Sequence, residues 1–322
     1  MKHQLTKIAL LGLAMFGATV YAAQPAQPGT VNYVEGTASL DGQTLNNKDV
    51  GNATLEAGQV LDTATGKAEI LLTPGVFLRL DDNSAVKMLS PDLTLTQVEL
   101  EKGRAGVEVD EIHDQNNLQV IDDGVTTRLD KTGYYEFNAN QPEAMVFKGM
   151  AKAEVGDGKW REIKSHHELA LTGEPDGQPL AKEKPADFDT HATDELYTWS
   201  NLRSQYLAEA NNQMAGEYYG AGYGPGWFWD PYAFGYTYMG FEPFASPFGW
   251  GFYPFGWGGY LGGYYGGWYG GRHWTHGPYY HYGNSHVAHG GTYGGGFHGQ
   301  GGFHGGGFSS GGGFHGGGGG RR

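Results

Sequence analysis

The aliphatic residues of this 322-residue chain stop almost completely two thirds of the way along it. The 112 residues from Asn211 onward contain 39 glycines and 32 aromatic residues, and their only Leu, Ile or Val residues are Leu261 and Val287. Aliphatic side chains fill most protein cores, and glycine loses more conformational entropy on folding than any other residue. We therefore expect the packed core upstream, and residues 216–322 to form a low-complexity tail that is largely disordered when alone.

The upstream part has the pattern of β-strands. Between Thr30 and Thr172, apolar side chains recur at every second position, as in "KAEILLTPGVFLRLDDNSAVKML", and turn residues such as Pro74-Gly75 separate the runs. Alternation places one set of side chains on one face of a sheet. Asp41-Gly42 predicts a two-residue hairpin, because both residue types tolerate a positive φ. Residues 30–172 are thus predicted to form an all-β sandwich or roll.

The same residues resemble a known family. "VNYVEGTASLDGQTL", followed by "LEAGQVLDTATGKAEILLTPGVFLRLDDNSAVKM", is similar to the FecR domain over roughly residues 30–155. The matching positions follow the family's order and are Gly58, Leu61, Thr65, Gly66, Gly75, Asn83 and Ser84. The resemblance implies a β fold and the bacterial periplasm, and it brings no catalytic residues.

FecR-type proteins relay a surface signal through one membrane span to a cytoplasmic sigma factor. This chain departs from that plan, because an apolar run at its N-terminus has the pattern of a signal peptide instead. We expect residues 1–22 to be a secretory signal cleaved after Ala22; the alternative is an uncleaved membrane anchor. The resemblance therefore indicates fold and compartment, and signalling only with the help of another protein.

Charge and cysteine content exclude several functions. Residues 23–210 contain 32 acidic and 16 basic side chains, which argues against nucleic acid as a partner. The chain has no cysteine, so disulfides, thiol catalysis and cysteine-ligated metals are excluded. We find no catalytic constellation and predict that the protein is not an enzyme.

A linker and a helix are predicted after the β domain. Residues 173–192 are rich in proline and charge and have no periodicity, which is typical of a linker. Residues 193–215 predict an amphipathic helix, with Thr193 as its cap and Gly216 as its stop. Its predicted apolar stripe consists of Leu196, Trp199, Leu202, Tyr206, Leu207, Ala210 and Met214. This stripe packs on the β domain, lies on a surface, or docks a partner.

The stretch "SPFGWGFYPFGWGG" in the tail combines aromatic rings with glycines. Rings stack on one another, on sugar faces and on cations, at roughly 0.5–1.5 kcal/mol per pair. We predict that it is an adhesive segment; the alternative is filler without a partner. The candidate binding residues are Trp250, Phe252, Tyr253, Phe255 and Trp257.

Histidines recur near the C-terminus. Neutral imidazoles on one segment can gather around Zn²⁺, Cu²⁺ or Ni²⁺, so weak metal binding is a candidate property and no other cofactor is expected. The alternative is that they supply polar ring contacts. The candidate ligands are His273, His276, His281, His286, His289, His298, His304 and His315.

Together these features predict an exported, non-enzymatic protein of the bacterial periplasm or cell surface, acting as a binding or assembly scaffold with an adhesive tail. Its expected partners are envelope proteins, cell-wall or surface polysaccharide, or a second copy of the chain. The alternative function is a FecR-like periplasmic sensor in envelope signalling.

Overall fold

The computed structural model describes residues 26–257, except for residues 114, 157, 173–179, 181–182 and 218–223. The strands and the single helix of this part have the following bounds: β1 Val31–Leu40, β2 Gln43–Thr44, β3 Val60–Leu71, β4 Val76–Leu80, β5 Ala85–Asp92, β6 Leu95–Lys102, β7 Arg104–Val109, β8 Gln119–Asp122, β9 Val125–Leu129, β10 Gly133–Asn138, β11 Glu143–Lys148, β12 Met150–Glu154, β13 Trp160–Lys164, β14 His167–Ala170, β15 Ala186–Asp187, α1 Glu195–Glu217, β16 Gly226–Asp230, β17 Gly235–Met239, β18 Phe244–Ala245 and β19 Gly251–Phe252.

The first fifteen strands form one sheet, which confirms the predicted β domain. Its main path runs β13-β12-β9-β8-β6-β5-β3-β4-β7-β10-β11-β14-β15, and β1 pairs with β3 beside this path. All neighbouring pairs are antiparallel except β6 and β8. The predicted hairpin at Asp41-Gly42 is present, with φ values of 47° and 77° and Leu40 opposite Gln43. Residues of the predicted linker add the last strand, because β15 pairs with β14.

One face of the sheet makes the aliphatic core. Alternate residues of the central strands point into it, for example Ile70 of β3, Leu78 of β4 and Val107 of β7, and all three are fully buried. Tyr135 and Phe137 of β10 close the same cluster. We call this side the inner face of the sheet. The period-two pattern of the sequence predicts it correctly.

The helix is confirmed, and five of the seven residues of its predicted stripe are buried: Leu196, Trp199, Leu207, Ala210 and Met214. Asp194 caps its start by accepting a hydrogen bond from the Tyr197 N–H at 2.8 Å. Leu202 and Tyr206 of the predicted stripe are 46 % and 53 % exposed. Ser200 and Ser204, which are polar, are fully buried instead. The buried side of the helix therefore extends to its serines and leaves Leu202 and Tyr206 exposed.

Residues 224–257 are folded, which differs from the prediction of a disordered tail from residue 216 onward. They form two hairpins, β16–β17 and β18–β19. Tyr236, Tyr238 and Phe252 are buried in a cluster with Leu71 and Phe77 of the sheet. An aromatic ring buries about 150–250 Å². Rings that dock on an existing sheet and helix therefore replace the missing aliphatic residues. The tail beyond residue 257 lies outside the described residues.

No helix in the described ranges is long and apolar enough to cross a membrane.

Candidate binding site

The second face of the central sheet, which we call the outer face, is built from charged residues. In the sheet, Glu69 of β3 lies opposite Arg79 of β4, and Arg79 lies opposite Gly106 of β7. Gly106 in turn lies opposite Glu136 of β10. Glu69, Arg79 and Glu136 are almost completely buried. These charged side chains therefore form a row that is enclosed within the protein.

Arg79 is the centre of this enclosed row. Its Nε lies 2.7 Å from Glu69 Oε2, and its Nη1 lies 2.5 Å from Glu108 Oε2. A buried charge is tolerated only when it is paired and hydrogen-bonded. Two carboxylates on one guanidinium leave a negative excess, and the helix supplies the second cation: Arg203 Nη2 lies 2.9 Å from Glu69 Oε1.

Polar residues of α1 match the outer face along the length of the helix. Ser204 Oγ donates to Glu108 Oε1 at 2.6 Å. Ser200 Oγ lies 3.0 Å from the Tyr134 hydroxyl. Small hydroxyl side chains allow the helix to approach the sheet closely while they satisfy its buried acceptors. This complementarity explains why the serine side of the helix is buried.

Two further ion pairs fix the start of the helix. Arg104 of β7 pairs with Asp194, and also with Glu136 at 2.9 Å. Lys67 of β3 pairs with Glu195 at 3.2 Å. Carboxylates in the first turn also favour the positive end of the helix dipole. The helix is therefore held on the sheet by ion pairs at its start, and by Arg203 and two serine hydroxyls further along.

The hairpins are attached through polar contacts as well. The amide of Asn32 bridges strand β17: its Oδ1 accepts from the Tyr236 N–H at 2.6 Å, and its Nδ2 donates to the Tyr236 carbonyl at 3.0 Å. Asn211 of α1 donates to the Tyr238 carbonyl at 2.9 Å and accepts from the Tyr253 N–H at 2.7 Å. The helix and both hairpins consequently form one layer over the outer face.

The carboxyl groups of the outer face titrate far from their usual range. Burial raises the pKa of Glu69, but Arg203 and Arg79 outweigh this effect and hold the pKa at about 2. Burial raises the pKa of Glu136 to about 8; Asp194 adds to the rise and Arg104 opposes it. Burial, followed by the nearby Glu108 charge, raises the pKa of Asp110 well above its usual value. The layer therefore depends on charged and protonated carboxyls together.

The exposed side of the helix borders an apolar groove, which we call the helix groove. It lies between α1, strand β1 and the turn of β16–β17, and it has a volume of about 430 Å³. Trp199, Leu202 and Tyr206 of α1 line one side, and Tyr33 and Tyr232 line the others. An aromatic groove bordered by a few polar groups is the usual form of a binding site.

The accessible charge of the helix groove is negative. Glu35 and Glu209 line it and are exposed. Glu35 Oε2 accepts a hydrogen bond from Trp199 Nε1 at 3.0 Å, which orients the indole. Arg203 also lines the groove, but it is only 7 % exposed, pairs with Glu69, and stacks 4.0 Å from the Tyr33 ring centroid. The groove therefore favours aromatic, neutral or cationic ligands over anions.

A second cleft, of about 410 Å³, lies beside strands β9 and β12. Its cations, Arg128 and Lys152, both pair with Asp130, at 2.6 and 2.8 Å. The two cations share this one carboxylate, so the cleft keeps one net positive charge, and its lining contains no Phe, Tyr or Trp.

The central strands also match a known family. Residues 59–152 match the model of the FecR protein family. The FecR resemblance of the sequence is thus confirmed over this stretch. No curated protein matches the chain.

Two solved structures of a candidate anti-sigma factor from Parabacteroides distasonis are similar to the chain at 12 % identity. One covers 44 % of this chain and 64 % of that protein with a TM-score of 0.35, and the other covers 44 % and 62 % with a TM-score of 0.34. The chain thus spans less than two thirds of that protein.

The FecR-matching stretch provides the outer face but not the groove. Glu69, Arg79, Glu108 and Glu136 all lie within residues 59–152. Strand β1, the helix and the hairpin β16–β17, which line the groove, lie outside it. The groove therefore lies outside the stretch that matches the FecR model.

The structure buries one of the five predicted adhesive rings, half-buries three and leaves one exposed. Phe252 is fully buried, and Trp250 packs against the same cluster. Tyr253 and Phe255 pack against a second cluster around Met239, whereas Trp257 is exposed. Only the Phe252 ring is therefore unavailable to a partner, and adhesion by the other four remains a prediction.

The eight candidate metal-binding histidines lie outside the described residues. Among residues that are described, no group of three His, Asp or Glu side chains could hold a metal ion. The sequence analysis did not identify the groove residues Tyr33, Glu35 and Tyr232 as a site. Of these only Tyr232 lies in the ring-rich sequence after the helix; Tyr33 and Glu35 are far from the helix along the chain, and no local signal marks them.

Proposed function

We propose that the protein is a non-enzymatic binding and assembly protein of the bacterial envelope, and that the helix groove is its partner site. The supporting observation is that a helix held by buried ion pairs presents Leu202 and Tyr206 to solvent. Exposed apolar side chains on a rigid element are typical of interaction surfaces. The match of residues 59–152 to the FecR family agrees with a binding rather than a catalytic role.

The test is capture of envelope components by the purified chain on beads, with quantitative mass spectrometry. Leu202→Ser combined with Tyr206→Ser should reduce recovery of the specific partners at least fivefold. Phe241→Ser is the matched control, because Phe241 is 72 % exposed and does not line the groove. Equal recovery by wild type and the groove variant would exclude the groove as the partner site.

The second candidate function is that of a FecR-like sensor in envelope signalling, supported by the same family match. Deletion of the gene in its native bacterium should then change transcription of genes that depend on one sigma factor. An unchanged transcriptome under envelope stress would exclude this role.

The proposal also includes export directed by the N-terminus and weak metal binding by the C-terminal histidines. If the chain is exported and cleaved after Ala22, N-terminal sequencing of the protein from a periplasmic fraction should begin at Ala23; a protein that keeps residues 1–22 would instead support the uncleaved anchor. Weak Zn²⁺, Cu²⁺ or Ni²⁺ binding by the C-terminal histidines should be lost near pH 5, as imidazoles protonate. Calorimetry of the whole chain at pH 7.5 and pH 5 measures this, and absence of heat at pH 7.5 would exclude it.

A further inference from the structure

The helix groove and the C-terminal segment of the chain have complementary compositions. The exposed charges of the groove are the carboxylates of Glu35 and Glu209, and its walls are aromatic. Residues 258–322, which we call the tail segment, contain no Asp or Glu, three arginines, eight histidines and 14 aromatic residues. A cation over an aromatic face and a ring against a ring are both attractive. The tail segment therefore supplies the groups that this groove favours.

The tail segment is also long enough to reach another molecule. It follows Trp257 and has 65 residues. Unfolded glycine-rich chains of that length span about 45 Å on average, since their end-to-end distance is about 5–6 Å times the square root of the residue number. A folded domain of about 230 residues has a radius of gyration of only about 17 Å. Length therefore does not prevent the segment of one copy from reaching the groove of a second.

We propose that the helix groove of one copy receives the tail segment of a second copy, so that copies join head to tail. This inference rests on the proposed function and names the partner of the same groove. A contact between two different surfaces of identical chains can repeat without closing into a ring. The many glycine-spaced rings of the tail segment offer several equivalent registers, which adds avidity without a single preferred site.

The proposal requires both rings and charges. Tyr206 and Tyr232, which are 53 % and 81 % exposed, would stack on the aromatic residues of the tail segment. Glu209 and Glu35 would pair with its arginines. Exposed ion pairs weaken when salt screens them, whereas ring contacts persist. Association should consequently weaken only a few-fold between 0.05 and 0.5 M salt.

The test is sedimentation velocity of the whole purified chain from about 1 to 100 µM. The groove variant combines Tyr206→Ser with Glu209→Arg, and the tail variant combines Arg272→Glu, Arg321→Glu and Arg322→Glu. The control combines Phe241→Ser with Glu162→Arg, two exposed positions outside the groove. We expect concentration-dependent association of wild type and control, and at least tenfold weaker association of each variant alone.

Mixing the two variants tests the head-to-tail arrangement directly. The groove variant keeps its tail segment and the tail variant keeps its groove, so an equimolar mixture should form a one-to-one complex although neither variant associates alone. Circular dichroism of each variant checks that the fold is retained. A wild type that stays monomeric at 100 µM, a groove variant that associates like wild type, or a mixture without complex would each overturn the proposal.

The same data separate this inference from the proposed function. A monomeric wild type whose capture of envelope components still depends on Leu202 and Tyr206 would overturn the self-association and leave the groove as a partner site. Loss of groove dependence in both experiments would overturn both.

Discussion

The inner and outer faces of the central sheet are equally buried but are held by different forces. Ile70, Leu78 and Val107 on the inner face lie in one cluster of buried apolar residues. Glu69 and Arg79, their neighbours on the outer face, are buried in ion pairs under the helix. Packing tolerates many apolar combinations of the right volume, whereas buried charges require particular partners. The inner face therefore makes the domain stable, and the outer face determines which side of the helix docks.

The largest expected effect comes from removing the central cation of the outer face. Arg79→Met leaves the Glu108 carboxylate without its cation and Glu69 with only Arg203, and breaking a buried pair costs roughly 3–5 kcal/mol. Lowering the pH from 7 to 4.5 should return part of this loss, since the stranded carboxyls can then take up protons. Denaturant unfolding at both pH values measures the free energy.

Leu78→Ala is the matched change on the inner face of the same strand. Truncation of a fully buried leucine costs roughly 2–5 kcal/mol, and this cost should be the same at both pH values, because no charge is involved. If the free energy of unfolding lost in Arg79→Met does not change with pH either, the outer face does not depend on charge and the two faces are held by the same forces.

The pH dependence of stability should come from the outer face. Glu69, with a pKa of about 2, contributes stability that is complete above pH 4.5 and is lost as the pH falls toward 2. Glu136, with a pKa of about 8, keeps a proton that the unfolded chain releases near pH 4.5, so its contribution is lost as the pH rises from 4.5 to 8. Thermal stability should therefore be highest near pH 5.

Glu136→Gln sharpens this expectation, because glutamine cannot ionise. Between pH 5 and 8, the free energy of unfolding of the variant should fall less steeply with pH than that of wild type. The two slopes should differ by at most one bound proton, which is about 1.4 kcal/mol per pH unit. Thermal scans in matched buffers measure it. A slope equal to that of wild type would assign the pH dependence to other groups.

A smaller effect is expected where the helix meets the sheet through a single hydroxyl. Tyr134→Phe removes the contacts of the hydroxyl with Glu136 and Ser200, at 2.8 and 3.0 Å, and keeps the ring. Loss of such a bond costs about 0.5–1.5 kcal/mol. Chemical denaturation measures this change, and a cost above 3 kcal/mol would mean that the hydroxyl supports more than the helix contact.

Period-two alternation predicted the β domain, its turns and its inner face, because burial on one side of a strand leaves a direct mark on the sequence. The same pattern gave no prediction for Glu69, Arg79 and Glu108, because alternation cannot distinguish an exposed charge from a buried pair. Their partners Arg203 and Ser204 are about a hundred residues away along the chain, so no local pattern connects them.

The helix and the hairpins show where composition misleads. Apolar residues at helical spacing predicted one stripe but not which part of it is buried: Leu202 and Tyr206 stay exposed, because the surface under the helix is charged and requires its serines. Glycine and aromatic content predicted disorder for a segment whose rings, such as Phe252, pack on a ready surface. The helix groove is formed by the exposed residues of the helix, by strand β1 and by the folded hairpin β16–β17. Because neither the exposed helix residues nor the hairpin was predicted, the sequence alone could not identify the groove.

The most direct test compares two substitutions on opposite sides of the same helix turn. Leu202→Ser should change the free energy of unfolding by no more than about 0.5 kcal/mol, because this leucine is already in contact with water. Ser204→Leu should destabilise the fold by several times as much, because it forces a larger apolar side chain against the buried Glu108 carboxylate and removes its hydroxyl partner. Guanidinium unfolding of both variants provides the comparison. A stable Ser204→Leu protein together with a strongly destabilised Leu202→Ser protein would show that the helix docks through the side that carries Leu202, and would contradict the account.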